Sequence, residues 1–185
     1  MTTDPPPVEH DITKEHYEAV GRVSNAWATF EFYIDQFIWW VANVDPPIGA
    51  CLTAQYIGPG PRFRALAALV KLRGGNSELI KSINRFSATT QGVAGERNRW
   101  SHDPMFVEVE TGRVLRWQVT ADRTLVYELK VAKLTEMQSL EKKIWGAIAD
   151  FKLLGVAIAR GIPPSSLPRK PPELPQTAEE DQPPP

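Results

Sequence analysis

The sequence VSNAWATFEFYIDQFIWWV, residues 23–41, decides the fold of this chain of 185 residues. Its large apolar side chains recur at alternating intervals of four and three residues, at Val23, Trp27, Phe30, Ile34, Phe37 and Val41. Because an α-helix turns about 100° per residue, this spacing returns each of them to the same face. The stripe predicts a long helix that packs lengthwise against other helices. Asp11 or Thr13 can cap its start, and the pair Pro46-Pro47 ends it after Val44.

Four further aromatic side chains lie partly off this stripe, at Phe32, Tyr33, Trp39 and Trp40. Aromatic surface on two faces indicates that the helix is covered twice, by its own bundle and by either a partner subunit or a neighbouring sheet. A homodimer is the simplest arrangement that meets this expectation.

Two more helical regions follow. The second covers about residues 47–57 and 62–73, with a break at Gly58-Pro59-Gly60-Pro61 and an end at Gly74-Gly75. The third is expected to begin at Asn76 or Ser77 and to run to His102, since Pro104 forces the chain out of the helix.

Between residues 105 and 130 the apolar period changes to two, which predicts a small antiparallel meander with turns at Thr111-Gly112 and Ala121-Asp122. The last helix opens with a capping-box pattern at Thr135 and Gln138 and runs to about Arg160. Its apolar seam comprises Met137, Leu140, Ile144, Ile148, Phe151 and Ile158. The predicted fold is mainly α: an up-and-down four-helix bundle with the meander inserted between the third and last helices.

Both ends of the chain are rich in proline, with 12 of the 17 prolines in residues 5–7 and 163–185. We therefore expect a disordered Pro-rich N-terminus at 1–10, one helical domain at 11–161 and a disordered Pro-rich tail at 162–185. The chain has no apolar run of the roughly 18 residues that a membrane span needs and no secretory signal at its start, so a cytoplasmic protein without membrane contact is expected. The single cysteine, Cys51, has the apolar neighbours of a small core residue.

The net charge of −1 argues against a general nucleic-acid coat. Residues 62–100 nevertheless hold eight lysines and arginines against Glu78 and Glu96. This basic stretch either attracts an anionic partner or only solvates exposed helix faces.

The basic stretch leads into Arg97-Asn98-Arg99-Trp100-Ser101-His102, in the last turns of the third predicted helix. Asn98 and His102 lie one turn apart on one face. Arg97 lies about 140° round from His102, and its long side chain can still reach the same cleft. Because imidazoles transfer protons near neutral pH and guanidinium groups hold phosphate oxygens, the combination is suited to chemistry on phosphate.

On these residues the chain resembles the HEPN superfamily, helical bundles whose ribonuclease members carry Arg-x4–6-His with a polar residue, often Asn, directly after the Arg. The resemblance covers about residues 13–160, including a long first helix with Trp27 and Glu31 and a short hairpin after the motif histidine. It implies a metal-independent endoribonuclease without a cofactor, which works as a dimer whose two motifs face a shared cleft. The expected product is a 2′,3′-cyclic phosphate.

The resemblance also implies roles for the motif residues. His102 would move protons between RNA oxygens and solvent, Arg97 would hold the scissile phosphate, and Asn98 would orient His102 or the phosphate. Glu31 would support Arg97. The expected substrate-binding residues are Arg99, Trp100 and Ser101, with Trp100 either stacking on a base or packing in the core.

A structural alternative stays open. Arg97 and His102 could form a network at a helix end, with Arg97 paired to Glu31 or Glu96, in a catalytically silent module that binds nucleotide, nucleic acid or a protein partner. A toxin or defence role, with an inhibitory protein partner, follows only by analogy with the family. A metal site is not expected, because His10 and His16 are not accompanied by a Cys or Asp cluster with ligand spacing.

Overall fold

The computed structural model describes residues 8–9, 11–122 and 124–163. Their helices are α1 (Lys14–Ala42), α2 (Pro46–Thr53), α3 (Pro59–Leu72), α4 (Ser77–His102) and α5 (Leu134–Gly161). Their strands are β1 (Val8–Glu9), β2 (Met105–Glu108), β3 (Val114–Asp122) and β4 (Thr124–Val131). The fold is mainly helical with a small antiparallel sheet, as predicted, and the meander lies between α4 and α5. Among these helices, none has both the length and the apolar composition needed to span a bilayer.

The sheet has the strand order β1-β2-β3-β4, and every neighbouring pair is antiparallel. The turn predicted at Thr111-Gly112 is confirmed, with Gly112 at a φ of 66° that favours glycine. The turn predicted at Ala121-Asp122 is wrong, because β3 continues through Asp122 and pairs with β4 there.

The N-terminal prediction also needs correction. Val8 and Glu9 pair with Glu108 and Val107 as a short edge strand, whereas the sequence placed them in a disordered segment. The partner strand β2 is remote in sequence, so the local composition carries no signal of this pairing. The rest of the predicted Pro-rich N-terminus, apart from these two residues, and the tail after residue 163 lie outside the described residues.

The contacts divide the described residues into two compact units, the first comprising residues 8–9, 11–30, 88–122 and 124–150. Its core confirms the predicted seams of the first and last helices. The buried members include Val23, Trp27, Phe30, Trp100, Phe106, Met137, Leu140, Ile144 and Ile148. His16 joins the first turn of α1 to the start of α5, because its Nε2 donates to the Ala132 carbonyl at 2.9 Å while Thr13 Oγ1 donates to its Nδ1 at 2.7 Å.

Helix α5 begins at Leu134, one residue before the predicted cap. The Lys133 carbonyl accepts the first amide bonds of the helix, from Glu136 and Met137. Thr135 therefore lies inside the first turn and is exposed, and the predicted capping box is wrong in its position.

Among the described residues, the second unit comprises 31–87 and 151–163. Four phenylalanines form its aromatic core, with ring centroids 5.3 to 5.9 Å apart between Phe37 and Phe151, Phe63 and Phe86, Phe63 and Phe151, and Phe86 and Phe151. A buried arginine, Arg62, donates to both oxygens of Asp35 at 2.9 and 3.3 Å and to the carbonyls of Tyr56 and Gly58.

Three predictions within this unit are corrected. Helix α3 begins at Pro59, inside the predicted break, because Gly58 takes a φ of 73° and a proline suits the first helical position. Cys51 is exposed and is not a core residue. Tyr33 and Trp40 are buried within the chain itself, so only Phe32, 44% exposed, and the half-buried Trp39 retain aromatic surface for a partner.

Candidate functional site

The motif occupies the last two turns of α4, a helix of 26 residues. Asn76 caps the start of α4, since its Oδ1 accepts a hydrogen bond from the Leu79 amide at 2.9 Å. At the other end the Asp103 amide donates to the Arg99 carbonyl at 3.0 Å, and Pro104 then leads into β2. The sequence prediction of the element and of its end at His102 is therefore confirmed.

The motif divides into an outward and an inward part. Asn98 and His102 are exposed, one helical turn apart, and Arg97 is half-buried beside them. The Nη1 of Arg97 donates to the Oδ1 of Asn98 at 3.1 Å. The Nε of Arg97 is buried and has no hydrogen-bond partner among the described residues. One N–H of this guanidinium is therefore left for an acceptor outside those residues.

The inward part is built on Trp100, which is only 5% exposed. The guanidinium of Arg116, on β3, lies 4.1 Å from the centre of the Trp100 ring. Arg116 is itself buried, at 7% exposure. This position favours the core role of Trp100 over a stacking platform for a base, because little of its ring is open to solvent.

Asp103, directly after α4, extends this pair. Its Oδ2 lies 3.6 Å from the Nε of Arg116, too far for a hydrogen bond, and both atoms are buried without a hydrogen-bond partner among the described residues. Burial raises the pKa of Asp103, although the charges of Arg116, Arg99 and His102 oppose the shift. Burial also lowers the pKa of Arg116; Asp103 opposes this shift, and the nearby charge of Arg99 adds to it.

A cleft of about 390 Å³ opens beside the inward part, between the last turns of α4, strand β3 and the first turns of α5. Five of its eight lining residues are charged and two carry hydroxyl groups. They are Glu96, Arg99, Trp100, Arg116, Thr135, Glu136, Ser139 and Lys143. The whole cleft lies within the first unit.

The other predicted site residues fall in different places. Glu31 lies 3.7 Å from Arg62, in the second unit, and Glu96 holds Lys143 at 3.0 Å. Neither carboxylate forms an ion pair with Arg97 among the described residues. Ser101 is half-buried, and its Oγ has no hydrogen-bond partner in that part of the chain. The structure therefore brings together Arg97 and Asn98, and separately Arg99 and Trp100.

Sequence reasoning missed Arg116 and the four α5 residues Thr135, Glu136, Ser139 and Lys143. A signal existed for Arg116, because strand alternation places it on the same side as the apolar Val114, where a charged residue needs a partner. The α5 side chains reach the cleft only through tertiary packing, so the sequence gives no local sign of them.

Within the described residues, no group of three or more His, Cys, Asp or Glu side chains is arranged to hold a metal ion. Comparisons with protein-family models, curated proteins and solved structures give no match to this chain. Its function is therefore inferred from its own residues.

Proposed function

We propose that the chain is a metal-independent endoribonuclease in which Arg97 and His102 are the catalytic pair. One observation carries the proposal: neither side chain forms a salt bridge with a carboxylate within 4.0 Å among the described residues, and His102 is exposed at the end of α4. A purely structural network at this helix end would instead pair these two side chains with acidic residues.

The chemistry needs one proton-transfer group and one phosphate ligand. The imidazole of His102 takes the proton of an RNA 2′-hydroxyl or delivers a proton to the leaving 5′-oxygen, and solvent makes the other of these two transfers. The 2′-oxygen then forms a bond to phosphorus while the bond from phosphorus to the 5′-oxygen breaks. The products are a 2′,3′-cyclic phosphate and a 5′-hydroxyl end, and neither an oxidant nor a cofactor is required.

Arg97 stabilises the charge that develops on the phosphate oxygens, because its guanidinium donates two directed hydrogen bonds. Asn98 acts as a positioning residue for Arg97, whose Nη1 it accepts at 3.1 Å.

A homodimer completes this site. Arg97 and His102 lie about 140° apart around α4, so within one helix only the length of the arginine side chain brings the two groups to the same surface. A second copy of α4 facing the first would place an arginine from one subunit opposite a histidine from the other. A dimer mass in solution is therefore expected, and a clean monomer by light scattering would remove the shared site.

The proposed substrate is RNA, and the cationic side chains of Arg97 and Arg99 support phosphate contacts at the motif. We further propose a cytoplasmic toxin or defence role with an inhibitory protein partner, because an unrestrained ribonuclease would damage its host. Harmless expression of the free protein at high level would count against the partner.

The deciding experiment is cleavage of labelled single-stranded and structured RNAs in excess chelator. Wild type is compared with His102→Ala, Arg97→Ala and Arg64→Ala, all checked for equal dimer mass. Arg64 is an exposed arginine elsewhere in the basic stretch, so its variant controls for loss of one positive charge. The proposal expects cyclic-phosphate ends from wild type and Arg64→Ala, and none from the other two.

A second candidate function is a catalytically silent binding module, which the polar cleft beside Trp100 favours. Absence of cleavage by pure, dimeric wild type across varied RNAs would select this function over the ribonuclease.

A further inference from the structure

The cleft between α4, β3 and α5 has an unusual lining for a ligand pocket. Its volume of about 390 Å³ is sufficient for a small ligand, since such pockets commonly hold roughly 300–1,000 Å³. Most ligand pockets are predominantly apolar, whereas only Trp100 is apolar among the residues that line this one. The lining therefore suits a small polar or charged group.

Some charged side chains of the cleft are paired with an opposite charge, and others are not. Lys143 donates to both carboxylate oxygens of Glu96, at 3.1 and 3.0 Å, so this pair is neutral. Glu136 also lines the cleft; its Oε1 lies 3.9 Å from Lys133, and its charge raises the pKa of Arg116 against the effect of burial. Arg99 has no carboxylate within 4.0 Å among the described residues, so its charge is available to a ligand.

Arg116 is the second available donor. Its side chain is only 8% exposed, and Trp100 holds its guanidinium in place from one face. Its buried Nε has no hydrogen-bond acceptor in the described part of the chain, since the Oδ2 of Asp103 lies 3.6 Å away. A buried N–H without an acceptor is destabilising, and an anionic oxygen within hydrogen-bond reach of it would remove this cost.

The two arginines also repel each other, because the charge of Arg99 adds to the effect of burial in lowering the pKa of Arg116. An anion between them would relieve this repulsion. Thr135 and Ser139, which also line the cleft, lie one turn apart at the start of α5 and contribute two hydroxyl donors. The helix dipole favours an anion near the first turn of α5.

We propose that this cleft binds a phosphate group, with Arg99 and Arg116 as charged donors and Thr135 and Ser139 as hydroxyl donors. The site is distinct from the outward Arg97, Asn98 and His102 surface, and phosphate binding does not depend on RNA cleavage. The phosphate belongs either to a free nucleotide or to a nucleic-acid chain, which present the same chemistry.

The test is titration of inorganic phosphate into the full-length protein, followed by backbone amide shifts of residues 135–139 and by calorimetry. Wild type should saturate, and Arg99→Gln and Ser139→Ala should each bind about tenfold more weakly, the effect of losing one charge-assisted or well-placed hydrogen bond. Arg64→Gln, which removes an equal charge elsewhere, should match wild type. Arg116 is left unchanged, because its loss would also disturb folding.

Two further arms identify the source of the phosphate. Adenosine monophosphate and a 2′-O-methyl RNA oligonucleotide, which cannot be cleaved by 2′-hydroxyl attack, compete for the same amide shifts. If adenosine monophosphate or the RNA oligonucleotide binds more tightly than inorganic phosphate, and Arg99→Gln weakens that binding about tenfold, the site is supported. The tighter-binding probe then identifies the source of the phosphate. Equal phosphate affinity in wild type and both cleft variants, or no saturable shift with any probe, would overturn the proposal whatever the outcome of the cleavage assay.

Discussion

Arg116 and Trp100 stack with the arginine Cζ 4.1 Å from the ring centre, and this contact joins β3 to the last turn of α4. Both side chains are buried, at 7% and 5% exposure. Trp100 lies between Arg97 and His102 in sequence, so whatever fixes its ring also fixes the helical turn that presents the motif. The contact has a structural role, and through the helical turn it sets the orientation of the proposed catalytic surface of Arg97, Asn98 and His102.

Arg116→Ala should destabilise the protein by about 2–4 kcal/mol, because it removes a desolvated cation–π contact and the one cation within 4.0 Å of Asp103 among the described residues. Arg116→Lys should cost less, since it keeps the charge and loses only the planar stacking. Urea unfolding followed by circular dichroism measures both. A loss under about 0.5 kcal/mol in the alanine variant would show that the stack contributes little.

The stability contribution of Asp103 should depend on pH with an unusual sign. Burial raises its pKa in the folded state, so the folded protein binds this proton more tightly than the unfolded chain does. The stability of wild type relative to Asp103→Asn should therefore fall as the pH rises from 3.8, the ordinary value, through the raised folded-state pKa, and should then level off.

Glu108 supplies the control for this titration. Hydrogen bonds from Thr111 and Arg113 lower its pKa in the folded state, so its stabilising contribution is present above 4.5 and is lost as the pH falls through the lowered value. The free energy of unfolding of wild type, relative to that of Glu108→Gln, should therefore increase as the pH rises. Urea unfolding of wild type, Asp103→Asn and Glu108→Gln between pH 3 and 6 measures both stability differences. If both differences change with pH in the same direction, the raised pKa of Asp103 is contradicted.

Gly155 is a packing position on α5. A Cβ built there would overlap the ring of Phe37 on α1, so Gly155→Ala should cost about 1–3 kcal/mol through overpacking. Gly146, on the same helix, has no neighbouring atom within 4 Å of such a Cβ, and Gly146→Ala should stabilise the protein by about 0.5–1 kcal/mol. Thermal unfolding of the two variants should give shifts of opposite sign, and equal shifts would refute the packing argument.

The helices could be predicted from the sequence because their signals are local. The seam from Val23 to Val41 and the break at Pro46-Pro47 specify α1, and the buried stripe of the structure follows the same residues. The end of α4 at His102 is equally local, since Pro104 follows it. Residue identity and spacing alone carry this information.

The remaining features depend on contacts between distant parts of the chain. No periodic pattern in the sequence marks these contacts. They include the pairing of Val8 with Glu108, the ion pair of Glu31 with Arg62 and the stacking of Arg116 on Trp100. The motif predicts which residues carry chemistry, whereas the partners of each side chain, and the cleft beside them, arise only when the elements pack.

Asn98 offers the sharpest test of how the proposed catalytic arginine is positioned. Its Oδ1 accepts a hydrogen bond from Arg97 Nη1 at 3.1 Å, so Asn98→Ala should lower kcat for RNA cleavage about tenfold with little change in KM. Asn98→Asp should be worse, because a carboxylate at this distance would pair with the guanidinium and compete with the phosphate. Single-turnover cleavage at saturating RNA separates the two effects. An aspartate variant as active as wild type would show that Arg97 does not act on the phosphate, since its charge would then be neutralised without consequence.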